Sequence, residues 1–325
     1  MRILVTGGAG FIGSAYVRRL LTGAEPAVDA EAVTVLDKFT YAGTLGSLAP
    51  VEADPRLTVV RGDICDAPLV DATVAGHDVV VHFAAESHVD RSITGPAAFV
   101  TTNVLGTQTL LDAALRHGVR RFVQVSTDEV YGSIAIGSWT EGDPLDPSSP
   151  YSASKAAADL LALAYHRTHG LDVVITRGAN TYGPYQYPEK IVPLFVTNLL
   201  DGHDVPLYGD GGNVRDWLHV DDHCRGVALA QTRGRAGGIY HLGDGTELTN
   251  RELTGRLLAA CGAGWERVRP VADRKGHDRR YSLDITTSRD ELGWSPTVDV
   301  DKGLAATVDW YRENRAWWAP LKPHR

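Results

Sequence analysis

Along the first half of the chain, short apolar runs rich in β-branched residues alternate with longer stretches of helical period. Residues 2–5, 33–36, 57–60, 79–83, 122–125 and 173–176 have the continuous Val/Ile-rich character of parallel strands buried on both faces. Residues 12–21, 97–117 and 152–169 carry the spacing of helices between them. Strand, helix and strand repeated in this way predict an α/β fold, a Rossmann-type doubly wound parallel sheet. After about Gly178 the rhythm breaks. Pro184, Pro188, Pro193 and Pro206 interrupt it, and turn clusters fall at 209–213 and 243–245. Helical patterns resume at 222–232, 250–261 and 302–314. The pattern predicts a first domain over residues 1–178, rejoined by about 214–243 because 238–242 has strand character, and a smaller mixed α/β domain over 179–325.

Composition narrows the class. The 325 residues are 43% hydrophobic and 22% charged, the balance of a globular enzyme. A formal charge of −8 argues against a broad nucleic-acid surface, though one arginine in a pocket suffices for a single nucleotide. Cys65, Cys224 and Cys261 are odd in number and form no CxxC pair. They predict reduced thiols in a cytoplasmic protein, with neither a disulfide framework nor a metal site. Met1 leads directly into a strand-like run, which predicts no signal peptide, and no apolar stretch approaches the roughly 20 residues of a membrane span.

The first strand runs into Thr6-Gly7-Gly8-Ala9-Gly10-Phe11-Ile12-Gly13. Glycines at 7, 10 and 13 permit a tight turn and close backbone approach to a pyrophosphate, and the following helix aims its N-terminal amides at the anion. Asp37 ends the second strand, where a carboxylate accepts both hydroxyls of an adenosine ribose and repels a 2′-phosphate. This favours NAD over NADP, a preference that the adjacent Lys38 weakens. Asp63-Ile64 follows the third strand, where an adenine contact falls.

Downstream, Tyr151 and Lys155 stand four apart at a helix start, hence on one face. Lys155 is expected to lower the Tyr151 pKa and to bond the nicotinamide ribose, leaving Tyr151 to take a hydroxyl proton. Ser126-Thr127 closes the fifth strand, and Thr127-Asp128-Glu129 puts two carboxylates at the sheet's carboxyl edge, where paired acids divide acid and base roles.

Hydroxyl, tyrosine and lysine behind an NAD loop mark a resemblance to the extended short-chain dehydrogenase/reductase family. Within it the chain is similar to the dTDP-glucose 4,6-dehydratases. Runs over almost the whole length carry that likeness: 37–43, 84–92, 126–132, 151–155, 182–190, Arg215-Asp216-Trp217 and Gly276-His277-Asp278-Arg279-Arg280-Tyr281. The resemblance implies NAD-dependent conversion of dTDP-glucose to dTDP-4-keto-6-deoxyglucose for deoxysugar biosynthesis. It assigns Tyr151, aided by Thr127 and Lys155, to the 4-hydroxyl proton, Glu129 to the C5 proton and Asp128 to the departing 6-hydroxyl. It adds Phe11, Ile12, Lys38, Thr40, Asp63, Ile64, Ala84, Ala85 and Thr102 to the NAD site. Ser87 and Asn180 hold sugar or diphosphate, and Arg215 and Arg274 clamp the diphosphate. Lys190, Ile191, Pro206, Tyr208, Asn250, His277 and Tyr281 line the nucleotide pocket. It also implies a homodimer built on the helices at 97–117 and 152–169.

Two departures bear on substrate preference. Gly178-Ala179-Asn180-Thr181-Tyr182 replaces the family's more usual Ser-Asn-Asn-Tyr, and Lys275 stands where proline is common. The choice among dTDP, UDP and CDP stays open. So do two other functions: a nucleotide-sugar 4-epimerase, against which the Asp128-Glu129 pair counts, and a non-catalytic NAD-binding protein, against which Thr127, Tyr151 and Lys155 count.

Overall fold

A computed structural model describes residues 1–322; Pro323, His324 and Arg325, the end of the expected second domain, lie outside the described residues. Seven strands form one parallel sheet: β1 (Arg2–Thr6), β2 (Ala32–Asp37), β3 (Leu57–Arg61), β4 (Val79–His82), β5 (Arg121–Thr127), β6 (Val173–Gly178) and, after three further strands, β10 (Gly238–Leu242). Their spatial order is β10-β6-β5-β4-β1-β2-β3. The chain therefore reverses its direction of travel between β1 and β4, and the crevice outside their carboxyl ends is where open α/β sheets take ligands. Ile3, Val5, Val33, Val81 and Val123 bury themselves on one face, and Leu4, Leu36, Val80, Phe122 and Ile175 on the other. Two-sided burial explains why these strands carry continuous apolar runs. The exception is β3. It lies at the sheet edge with Thr58 and Val59 exposed, so the expectation of a buried strand there is corrected.

The second half builds two small sheets. β9 (Val214–His219) pairs with β7 (Asn180–Tyr182) in parallel and with β11 (Glu247–Thr249) antiparallel, while β8 (Val205–Tyr208) pairs with β12 (Val268–Val271). Three to six residues are too few for period-two patterning to stand out, and of the later strands β10 alone was legible. β9 also corrects the expected return at 214. The chain comes back to the large sheet with the helix Val220–Arg233, after β9 has paired in the small one. A separate core of Tyr182, Phe195, Trp217, Leu253, Leu304 and Tyr311 fills this lobe.

The helix expected over 97–117 is divided. Pro96–Phe99 is α-helical, Val100–Gly106 is a π-helical turn, and Thr107–Arg116 is α-helical again. The extra residue per turn swings Asn103 inward. Its Nδ2 donates to Glu86 O (3.0 Å) and Ser154 Oγ (2.8 Å), and its Oδ1 accepts from Glu86 N (2.8 Å). Apolar spacing does not report such a turn, since its buried positions are Asn103 and Gly106 while Val100 and Leu105 are exposed.

Candidate active site

All the residues singled out from the sequence line one cavity of about 570 Å³ between the carboxyl edge of the large sheet and the second lobe. At its floor, Gly7 has φ +69°, and a Cβ there would lie 2.5 Å from Ala84 N. A Cβ on Gly13 would overlap Gly7 O. The helix Phe11–Leu21 starts from Gly10 without a side-chain cap, so its first amides remain open for an anion. Asp37 is held by amides: Ala9 N donates to Oδ2 (2.9 Å) and Phe39 N to Oδ1 (2.8 Å). Burial raises its pKa, and those two amides oppose the rise. Each oxygen keeps a lone pair for a ribose hydroxyl. Lys38 is drawn aside to Asp63 (2.6 Å), which lessens its weight as a phosphate partner. Thr40, Ile64, Ala85 and Thr102 complete the walls. A glycine cradle, open helix amides and an acceptor carboxylate fit a dinucleotide without a 2′-phosphate.

The catalytic candidates converge where β5 ends. Thr127 leaves the strand in extended conformation and caps the short turn Asp128–Tyr131, accepting from Glu129 N (3.3 Å) while its hydroxyl donates to Asp128 Oδ1 (3.1 Å). Asp128 is buried, and its Oδ2 has no partner. Burial first, and the Glu129 carboxylate second, push its pKa up to about 8. Glu129 is raised too, by desolvation, but Lys190, Arg215 and Arg274 pull it back toward the ionised form. Two neighbouring acids are thus set apart, one protonated near neutrality and one beside three cations.

Tyr151 and Lys155 enter from the helix Pro150–His169, whose start is fixed by a Ser149/Ser152 capping box with Pro150 in the first turn. Here the structure departs from expectation. Lys155 Nζ donates to Val125 O (2.7 Å) rather than toward the phenol, and the Tyr151 pKa is raised, by burial and then by Glu129 and Asp128. A hydrogen bond with Thr127 works the other way. Desolvation brings Lys155 itself down to about 8, with Asp159 opposing.

On the facing wall, Lys190 Nζ donates to Ser87 O (2.8 Å). Arg215 lies over the Tyr281 ring (4.2 Å) and donates to Asp278 O (2.9 Å), while Tyr281 donates to Asp278 Oδ2 (2.6 Å). Tyr281 therefore buttresses Arg215. Arg274 stands 3.5 Å from Asp90 and over Tyr208 (5.2 Å), and His277 pairs with Asp273 (2.6 Å). Asn180 Oδ1 is buried without a partner. Ile191, Pro206 and Asn250 line the same wall. Trp217 and His223 also face the cavity and were missed. Trp217 Nε1 is a buried donor without a partner, and it stands two residues after Arg215 in a run quoted above for the resemblance. His223 sits within a helical pattern that gives no such signal. Its ring occupies the space where a Gly178 side chain would go, 2.5 Å from a Cβ there.

A family model described as GDP-mannose 4,6 dehydratase matches residues 4–307. The chain belongs to this family. It is 69% identical to a dTDP-glucose 4,6-dehydratase of Streptomyces antibioticus over 326 residues, covering 99% of this chain and 96% of that one. The solved dTDP-glucose 4,6-dehydratase of Streptomyces venezuelae, with NAD bound, superimposes with a TM-score of 0.98 at 66% identity, covering 99% of this chain and all of that one. A UDP-glucose 4-epimerase of Thermotoga maritima, with UDP-glucose, gives 0.89 at 32% identity over 97% of this chain and all of that one. Among the described residues, no helix of this family member is long and apolar enough to cross a membrane.

Proposed function

We propose that the protein is a hydro-lyase that converts dTDP-glucose to dTDP-4-keto-6-deoxyglucose with NAD, a step of deoxysugar biosynthesis. The observation that carries this reading is the split pair at the end of β5, with Asp128 pushed up to about 8 and Glu129 beside Lys190, Arg215 and Arg274. Bound NAD supplies an acceptor for the hydrogen at C4 and returns it at C6, so it is regenerated within each turnover. Tyr151 takes the 4-hydroxyl proton, with Thr127 and the charge of Lys155 favouring its phenolate. The resulting 4-ketone acidifies C5. Glu129 removes the C5 proton, Asp128 protonates the leaving 6-hydroxyl, and Glu129 later returns a proton to C5. Each placed proton transfer contributes about 10²–10⁴ in rate. Residues 1–178, with the returning segment, hold the cofactor; residues 179–325 hold the nucleotide sugar through Asn180, Lys190, Arg215, Arg274 and their neighbours.

The identities support the same choice, at 66–69% for dehydratases against 32% for the epimerase. Mass analysis of product formed from dTDP-, UDP- and CDP-glucose tests the reading. Loss of one water with dTDP-glucose is expected; an unchanged mass means epimerisation, and an inert protein means neither activity.

The reading extends to a homodimer in the cytoplasm. Val100 (55% exposed), Leu105 (50%) and Leu160 (56%) lie on adjacent helical segments. A four-helix contact with a second copy covers them.

A further inference from the structure

Behind Lys155, away from the cavity, runs a chain of buried polar groups that the mechanism above does not use. Asp159 stands one turn beyond Lys155 on the same helix, hence on the same face, and is fully buried. Its Oδ2 accepts from Arg177 Nε (3.0 Å), and its Oδ1 has no partner. Arg177, on β6 and 2% exposed, also donates to Tyr131 Oη. Tyr131 donates onward to His241 Nε2 (2.6 Å), because His241 Nδ1 gives its proton to Asp284 O (2.9 Å). The carboxylate is thus fixed from behind by a chain of single-direction hydrogen bonds.

We propose that Asp159 is a positioning residue for Lys155, holding the charge of the buried ammonium from one helical turn away while Val125 O fixes its direction, with Arg177 setting how much of that negative charge reaches the lysine. This rests on the reading of Lys155 as part of the catalytic group. The charge balance supports it. Tyr151 and Asp159 share the helix face of Lys155, His82 approaches it from β4, and Arg177 and Tyr131 are joined to Asp159 by the hydrogen-bond chain. His82 is neutral, its Nδ1 paired with Thr6 Oγ1 (2.7 Å) and its Nε2 with Thr107 Oγ1 (3.0 Å). Burial holds Asp128 and Tyr131 toward their neutral forms. Asp159 is then the anion that offsets two buried cations. A net positive charge remains to favour the Tyr151 phenolate.

The test reads the alkaline limb of the pH profile for reduced-cofactor formation in a single turnover. It is made in an Asp128→Asn background, which removes a cavity carboxyl raised to about that pH. Asp159→Asn leaves two cations unbalanced, so Lys155 loses its proton sooner and the limb moves to lower pH, by about one unit or more. Arg177→Met frees the carboxylate for the lysine and moves the limb to higher pH. Asp159→Glu restores the original limb. A role in folding alone slows both variants with the limb in place, and unmoved limbs, or limbs moved in the same direction, overturn the proposal. Should Asp159→Asn fail to fold, the Arg177→Met shift decides. Lys155→Met separates this from the larger reading: full activity there overturns the catalytic assignment itself, whereas lost activity with unmoved limbs overturns only the role of Asp159.

Discussion

Asp128 and Glu129 are neighbours in sequence, yet the fold gives them different electrostatic surroundings. Burial raises both carboxyls, and beyond that Asp128 faces a second carboxylate while Glu129 faces three cations. Asp128→Asn and Glu129→Gln are each expected to lower dehydration by about 10²–10⁴ while purified protein retains its NAD, checked by extracting cofactor from the variants. The same shift makes a statement about stability. The folded Asp128 pKa lies above its unfolded value, so the native state holds a proton that the unfolded chain releases as pH rises. Stability from this group is present at low pH and is lost as pH climbs toward about 8. Asp128→Asn removes that loss. Its melting temperature relative to the parent should therefore rise between about pH 5 and pH 8, and a constant difference would contradict the assigned protonation.

At the scale of elements, the π-helical turn Val100–Gly106 ties the cofactor wall to the catalytic helix through Asn103. Asn103→Ala strands the Glu86 amide and carbonyl and is expected to cost about 1–3 kcal/mol, measured by urea unfolding. Gly7→Ala meets both a left-handed backbone and the Ala84 amide, and should abolish NAD retention. The glycine loop was legible because the need for bare backbone writes itself into residue type. The Asp128-Glu129 pair was legible because it follows a strand whose end could be placed. The π turn, the unequal surroundings of the two acids and the Arg177–Asp159 chain were not. Each depends on what a side chain meets across the fold, and apolar spacing records only which face is buried. The expected lowering of the Tyr151 pKa by Lys155 is outweighed for a related reason. Spacing set the two on one face, but the ammonium found the Val125 carbonyl, and burial first, then the two carboxylates, raises the phenol.

For the whole molecule, the large sheet presents the redox cradle and the second lobe closes the sugar wall over it, with Asp128 and Glu129 at the seam. The proposed contact with a second copy uses exposed Val100, Leu105 and Leu160. Leu160→Glu should shift sedimentation from dimer to monomer; an unchanged dimer moves the interface elsewhere. The central claim is that the cofactor is reduced and reoxidised around a C5 proton exchange at Glu129. Nuclear magnetic resonance of the product formed from dTDP-glucose in deuterated water tests it most directly. The account predicts a 4-keto-6-deoxy sugar with solvent deuterium at C5. A product bearing only protium at C5 would contradict it.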